Sequence, residues 1–304
     1  MIVNLNKVLP QAREKKYAVG HFNTSNMEIT QAIVQAAEEL NAPVIIGVSE
    51  KAINYSGLST IVQIVYSIAE RSRIPVVLHL DHGRDFDLIK KCIDAGFTSV
   101  MIDGSYLPFK ENLNLTKKVV KYAHKKGISV EAEIGQLAGI EDDMKPAHLL
   151  YSDPDEAARF VRLSECDALA IAIGTAHGAH KFKGKPRLRI DILKAIAAQV
   201  EIPLVLHGAS GVKPKWIRYA NKFGARIEKT KGVPDRLIKE AVKNGITKIN
   251  VDTDIRIAFT AAIREFLFRT PEEFDPRRIL NHARAVIKGV VKEKIILFGS
   301  AGRG

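Results

Sequence analysis

Three histidines, His82, His177 and His207, each sit at the end of a short apolar run, in the segments VVLHLDHG, AIAIGTAHG and PLVLHGASG. A run rich in β-branched residues that ends in Gly-flanked polar residues reads as a buried parallel strand delivering its last side chain into a site. The histidines stand 95 and 30 positions apart (82 to 177 to 207). Those gaps far exceed the spacings of zinc fingers or HExxH proteases, so the imidazoles must converge through tertiary structure. Three neutral imidazoles that leave one coordination position open form a catalytic metal site, with substrate or water in the open place. The alternative is three unrelated histidines, each satisfied locally, and their equivalent positions after apolar runs argue against it.

The elements that would position them recur along the chain. Strand-like runs appear as YAVGHFN, PVIIGVS, PVVLHLDHG, SVMIDGS, SVEAEIG, ALAIAIG, PLVLHGA and KINVDTD, separated by stretches of helical periodicity such as MEITQAIVQAAEEL and DFDLIKKCIDAGF. Eight such units in 304 residues predict an α/β fold, a (β/α)8 TIM barrel with extra C-terminal helices, as a single domain over 1–304 with 270–304 as a C-terminal extension. A doubly wound open sheet would have fewer strands and no reason to end nearly all of them in polar residues. Barrel active sites lie at the C-terminal ends of the strands. Those ends carry Asn23, Ser49, Asp81 with His82, Asp103, Glu133, His177, His207, and Asn250 with Asp252. Buried polar groups are costly unless paired or used, so one shared site is the economical reading.

Composition narrows the partners. The excess of 46 basic over 34 acidic residues, +12, attracts anions. The basic residues are spread over amphipathic segments such as LTKKVVKYAHKK, with no recognition helix, aromatic RNA-binding signature or basic tail, which favours phosphorylated metabolites over nucleic acid. No apolar run reaches the length of a membrane span, and the N-terminus lacks the apolar stretch of a signal peptide. Cys92 and Cys166 show no paired spacing, so a cytoplasmic, reducing setting is expected.

The ordered segments VGHFNTSN, HLDHG, SVMIDGS, VEAEIGQLAGIED, GTAHG, LHGASG, KINVDTDIR and the terminal LFGSAGRG resemble the class II, metal-dependent fructose-1,6-bisphosphate aldolases and their tagatose-bisphosphate relatives, over essentially the whole barrel. The resemblance implies a lyase that splits fructose 1,6-bisphosphate reversibly into dihydroxyacetone phosphate and glyceraldehyde 3-phosphate, in glycolysis and gluconeogenesis. Cleaving the bond beside the ketone generates an enediolate, whose charge needs an electrophile. A metal held by His82, His177 and His207 meets that need. Zinc suits three imidazoles, with cobalt, iron or manganese as alternatives, and the resemblance adds a monovalent cation and a homodimer or homotetramer. By the same resemblance Asp81 is the acid/base at the C4 hydroxyl, and Glu141 the proton-abstracting carboxylate on a mobile loop that closes on substrate. Adjacent strand residues point to opposite faces, so Asp81 and His82 both reach the site only where the strand end bends. Gly178, Lys181, Gly208, Ser210, Asn250 and Thr253 are implied to hold the ketone-side phosphate, Ser49 and Arg256 to lie toward the far one, and Asp252 to contact substrate hydroxyls. Asn23 is a further substrate-binding candidate, and Arg277 or Arg278 is assigned to a neighbouring subunit's far-phosphate site. Asp103 and Glu133 read as an outer shell to the histidines or as ligands of a second or alternate metal. Glu131, on the same side of the strand, is either a candidate of the same kind or a structural partner for a lysine.

The remaining histidines have plainer readings. His79, His124 and His282 are expected to be satisfied or solvated, while for His21 and His148 the sequence does not decide between that and a place near substrate. His180, Ala138 and Ile140 depart from the family pattern, which bears on loop closure and leaves the metal ligands untouched. A Schiff-base aldolase needs a lysine near a strand's C-terminal end. Lys248 is placed instead at the start of the eighth strand. A metal-dependent hydrolase on the same barrel would carry an HxH pair on the first strand, where this chain has GHFN. Tagatose 1,6-bisphosphate differs from the fructose compound at one carbon and is the alternative substrate.

Overall fold

The computed structural model describes residues 1–136, 138–139, 150–177, 187–228 and 231–304. Eight parallel strands close into a barrel: β1 (Val19–Asn23), β2 (Val44–Ser49), β3 (Val76–Gly83), β4 (Ser99–Ile102), β5 (Ser129–Ile134), β7 (Ala168–Ile171), β9 (Leu204–Leu206) and β10 (Ile246–Val251). Each lies beside its predecessor in sequence, and β10 closes on β1. All eight coincide with apolar runs of the sequence. Two further strands of two residues, β6 (Ala138–Gly139) and β8 (Ala176–His177), pair with each other outside the barrel sheet.

The helices between them begin and end where side chains can satisfy backbone groups. Asn26 caps α2 (Met27–Glu39) by accepting from the Ile29 amide at 2.9 Å, and Asp85 caps α5 (Phe86–Ala95) by accepting from Leu88 at 2.8 Å. The other helices on the barrel's outer side are α3 (Glu50–Ser56), α4 (Leu58–Ala69), α6 (Phe109–His124), α7 (Pro154–Ser164), α8 (Ile190–Gln199), α9 (Pro214–Lys222), α10 (Asp235–Lys243) and α11 (Thr253–Arg269). The C-terminal stretch is one long helix, α12 (Pro276–Phe298), packed along α2 and α11. Its tail returns to the barrel, where the Gly302 and Gly304 amides donate to the carbonyls of Leu40 and Asn41.

Strand alternation divides the barrel interior into storeys. At the N-terminal end Val19, Ile45, Val77, Ala168, Ala170 and Val205 form an apolar floor. A 3-10 turn (Leu5–Lys7) and α1 (Leu9–Glu14) plug it from below with Leu5, Val8, Leu9 and Ala12. Two residues further along β1 and β3 the inward positions become His21 and His79, both fully buried, and two further still they become Asn23 and Asp81. A larger outer cluster fills the space between the strands' outward faces and the helices.

Candidate active site and metal centre

Asp81 and His82 share the end of β3 because the strand bends there. His82 adopts a left-handed backbone (φ 51°), and the pairing with β4 slips between Leu80 and Gly83. The bend turns two consecutive side chains toward the barrel mouth, as the sequence required of them. A left-handed conformation at a residue with a Cβ is strained, and such strain persists where surrounding contacts hold it. His82 Nδ1 lies 3.0 Å from Asp103 Oδ2, and Asp103 in turn accepts from the amide and hydroxyl of Ser105 at 3.2 and 2.7 Å.

His207, just past β9, faces His82 with ring centroids 4.7 Å apart. Its Nδ1 is 3.0 Å from Glu133 Oε2 and its Nε2 is 2.9 Å from Glu131 Oε1. Burial alone would lower His207, but the carboxylates of Glu133 and Glu131 outweigh it and raise the imidazole to about 9. The ring therefore carries a second proton at neutral pH wherever no other cation meets Glu133. Ligand atoms of His82, Glu133 and His207 all lie within 4.8 Å of one another, and all three side chains are buried. Two imidazoles and a carboxylate suit a divalent transition ion, and the electrostatic demand that protonates His207 is one such an ion would meet. The residues present fit the metal.

His177 reaches this neighbourhood by its backbone. The β8 strand that contains it runs against Gly208, whose φ is 61° and where an added Cβ would lie 2.6 Å from the Ala176 carbonyl oxygen. Only glycine permits that approach, which brings the chain around His177 beside the one leaving His207. The His177 side chain lies outside the described residues, as do Glu141, Gly178, Lys181, Ile140, His148 and His180 and the side chain of Ala138.

Asp81 is gripped from both sides. Its Oδ2 accepts from Asn23 Nδ2 at 2.7 Å, and its Oδ1 accepts from Asn250 Nδ2 at 3.0 Å. Ser49 stands opposite Asp81 in the β2–β3 register, with its hydroxyl capping α3 through the Ala52 amide. Ser210 is buried at the start of the loop after β9, where its hydroxyl accepts from the Asp252 amide at 3.4 Å. That loop is tied down by Asp254, whose Oδ2 accepts from the Gly211 amide at 2.8 Å and meets Lys294 Nζ of α12 at 2.7 Å. Thr253 opens α11, and Arg256 on the exposed side of its first turn pairs with Asp252 at 2.8 Å. Arg277 and Arg278 lie at the exposed start of α12, paired with Asp275 and Glu273.

Two expectations from sequence need correction. His79 is neither solvated nor fully satisfied: Nδ1 meets Ser99 Oγ at 2.8 Å, whereas Nε2 has no hydrogen-bond partner among the described residues and lies 3.7 Å from Glu131. Lys248 does not start its strand, because β10 begins at Ile246, just after the Gly245 turn, and the lysine points into the barrel fully buried. Its Nζ sits 2.9 Å from Glu131 Oε2 and donates to Glu131 Oε1 and Asn250 Oδ1 at 3.1 and 2.8 Å. Burial favours the neutral form of Glu131, but the Lys248 ammonium and the hydrogen bond with His207 override it and hold the carboxyl well below its usual range. His21 is likewise fully buried, with both ring nitrogens unpartnered among the described residues. Burial first, then the Lys248 ammonium, keeps His21 and His79 far below the ordinary histidine range and therefore neutral at pH 7. His21, His79 and Asp81 also lie close enough to offer ligand atoms to an ion, but the ammonium that depresses both rings would repel a dication.

Sequence reasoning missed this polar storey, although a signal existed. Asn23, Asp81, Glu133 and Asn250 each have a polar residue two positions earlier, namely His21, His79, Glu131 and Lys248. In a strand, that spacing puts both members on the same face.

Residues 3–303 match the family model described as fructose-bisphosphate aldolase class-II. A fructose-bisphosphate aldolase of Thermus caldophilus is 47% identical over 307 residues, covering 100% of both chains. One from Giardia intestinalis is 46% identical, over 99% of this chain and 94% of that one. Among solved structures, the YdjI aldolase of Escherichia coli K12 superposes with a TM-score of 0.83 at 32% identity, covering 100% of this chain and 99% of that one.

Proposed function

The chain belongs to the class II fructose-bisphosphate aldolase family, and from that premise we propose that it cleaves fructose 1,6-bisphosphate reversibly to dihydroxyacetone phosphate and glyceraldehyde 3-phosphate. The observation that carries the reading is an aspartate held by two amides beside a buried His/Glu/His cluster at the C-terminal mouth of a barrel. Asp81 takes the proton of the C4 hydroxyl, the C3–C4 bond breaks, and the aldehyde leaves with its phosphate. The bond's electron pair remains on the ketone-side fragment as an enediolate. Glu141 returns a proton to its carbon, and removes it in the synthetic direction. His82, His177 and His207 would hold a divalent ion, with Glu133 and Asp103 against the imidazoles, and that ion would supply Lewis-acid chemistry for the ketone oxygen.

Zinc is the ion this donor set suits best, and a monovalent cation is the further cofactor the resemblance implies. Gly178, Lys181, Gly208, Ser210, Asn250 and Thr253 take the ketone-side phosphate, Ser49 and Arg256 the far one, and Asn23 and Asp252 the sugar. Arg277 or Arg278 serves a neighbouring subunit's far-phosphate site. The small residues around Gly208 and Ser210 leave backbone amides open to an oxyanion. We read the setting as cytoplasmic and the pathway as glycolysis and gluconeogenesis. Two free buried cysteines are in keeping with a reducing compartment, and among the described residues no helix is long and apolar enough to cross a membrane. The family resemblance implies a homodimer or homotetramer.

The deciding assay follows fructose 1,6-bisphosphate cleavage before chelation, after it, and with Zn2+ restored. Loss and recovery of activity support the reading, and a parallel assay with tagatose 1,6-bisphosphate reports the preferred epimer. Full activity in metal-free protein would sink it.

A further inference from the structure

We propose that Lys248, buried below the site, is a positioning residue that sets the orientation of Asp81 and of His207 at once. The inference rests on the aldolase reading and extends it to a residue with no place in that chemistry so far. An ammonium can only donate, and it has three hydrogens. Lys248 Nζ donates to Glu131 Oε1 at 3.1 Å and to Asn250 Oδ1 at 2.8 Å, and pairs electrostatically with Glu131 Oε2 at 2.9 Å.

Each contact settles a choice that the next residue would otherwise leave open. An amide side chain can present either its oxygen or its NH2 to a neighbour. With Asn250 Oδ1 fixed on the lysine, its Nδ2 must face Asp81, where it donates to Oδ1 at 3.0 Å. With Glu131 held in place by the lysine, its Oε1 lies 2.9 Å from His207 Nε2 and so sets which edge of the ring turns toward it. The Nδ1 edge then faces Glu133 and His82, the cluster that would hold the ion. One fully buried cation thereby links the acid/base carboxylate on β3 to a metal-binding imidazole after β9, through residues on β10 and β5. A purely structural ion pair would not need this reach, since an apolar or neutral pair of similar volume serves stability as well or better.

Two full-length variants test the idea. Lys248→Met removes the cation alone, and Lys248→Met/Glu131→Gln removes both charges, so that no carboxylate is left buried without its partner if the single variant fails to fold. In the double variant the turnover number for fructose 1,6-bisphosphate should fall roughly 10- to 100-fold with KM changed less than about threefold, and Zn2+ affinity in a chelator competition should fall about tenfold, the scale of lost outer-shell contacts. A folded double variant with turnover and Zn2+ affinity both within about threefold of wild type would overturn the proposal. If wild-type protein loaded with Zn2+ does not cleave the sugar, the aldolase reading fails, yet the competition titration still decides whether Lys248 orients His207.

Discussion

The floor of the barrel and the storey above it are built by the same strands two residues apart, yet they obey opposite rules. Val19, Ile45 and Val77 on β1, β2 and β3 close the floor, and the next inward positions are His21, Gly47 and His79. The floor is stabilised by apolar burial, of the order of 25 cal/mol per Å2. The storey above buries two neutral imidazoles, a carboxylate and an ammonium in mutual dependence. Even its glycine belongs to the arrangement, because a Cβ on Gly47 would fall 2.0 Å from His21 Nε2. The contrast teaches that the polar storey is an extension of the active site downward, at some expense in stability, while the floor carries the fold.

The largest effect separating the two should come from the rim that the polar storey supports. Asp81→Asn removes the proposed acid/base carboxylate but leaves the His82, Glu133 and His207 cluster intact. Turnover should fall about 10²- to 10⁴-fold with metal content unchanged, the usual range for a lost general acid–base group. Steady-state kinetics with metal analysis checks it, and unchanged turnover would take Asp81 out of the mechanism. Ile45→Ala on the floor should do the reverse. A fully buried isoleucine cut to alanine costs about 2–5 kcal/mol of stability. Urea unfolding should show that loss, while turnover of the folded enzyme stays within about threefold. A tenfold drop in turnover would mean that floor and site are not separable.

How far the sequence revealed this arrangement depends on what each residue signals alone. The eight strands were legible because parallel strands covered on both faces read as continuous apolar runs. The bend at His82 was legible as a necessity, since adjacent polar residues at a strand end cannot otherwise face one site. Lys248 was not, because a lysine at the head of KINVDTD looks like a strand's exposed beginning unless its partner on β5 is known. Glu131 was legible only as one of two things, a further carboxylate around the histidines or a lysine's partner, with no lysine identified. His21 and His79 gave only a spacing signal, and their orphaned nitrogens are a property of packing. The C-terminal stretch contributes Lys294, which reaches Asp254 and through it the loop after β9, a link between distant segments that no local pattern predicts.

The smallest effect is also the one that tests the polar storey most directly, because it needs no change in chemistry at the rim. His21 and His79 are held below the ordinary histidine value by burial and by Lys248. A base whose folded pKa is depressed takes up its proton more readily when unfolded. Its contribution to stability is therefore complete above the unfolded value near 6.5 and is lost as pH falls toward the folded value. Each ring should withdraw up to about 1.4 kcal/mol per pH unit below 6.5. His21→Phe keeps a buried ring of similar size and removes one of the two titrations. Chelator-treated wild type should lose stability steeply between pH 6.5 and 5.5 in urea titrations, and the variant about half as steeply. Equal slopes would show that His21 is already solvated or charged in the folded protein, and the sharp boundary between floor and polar storey would dissolve.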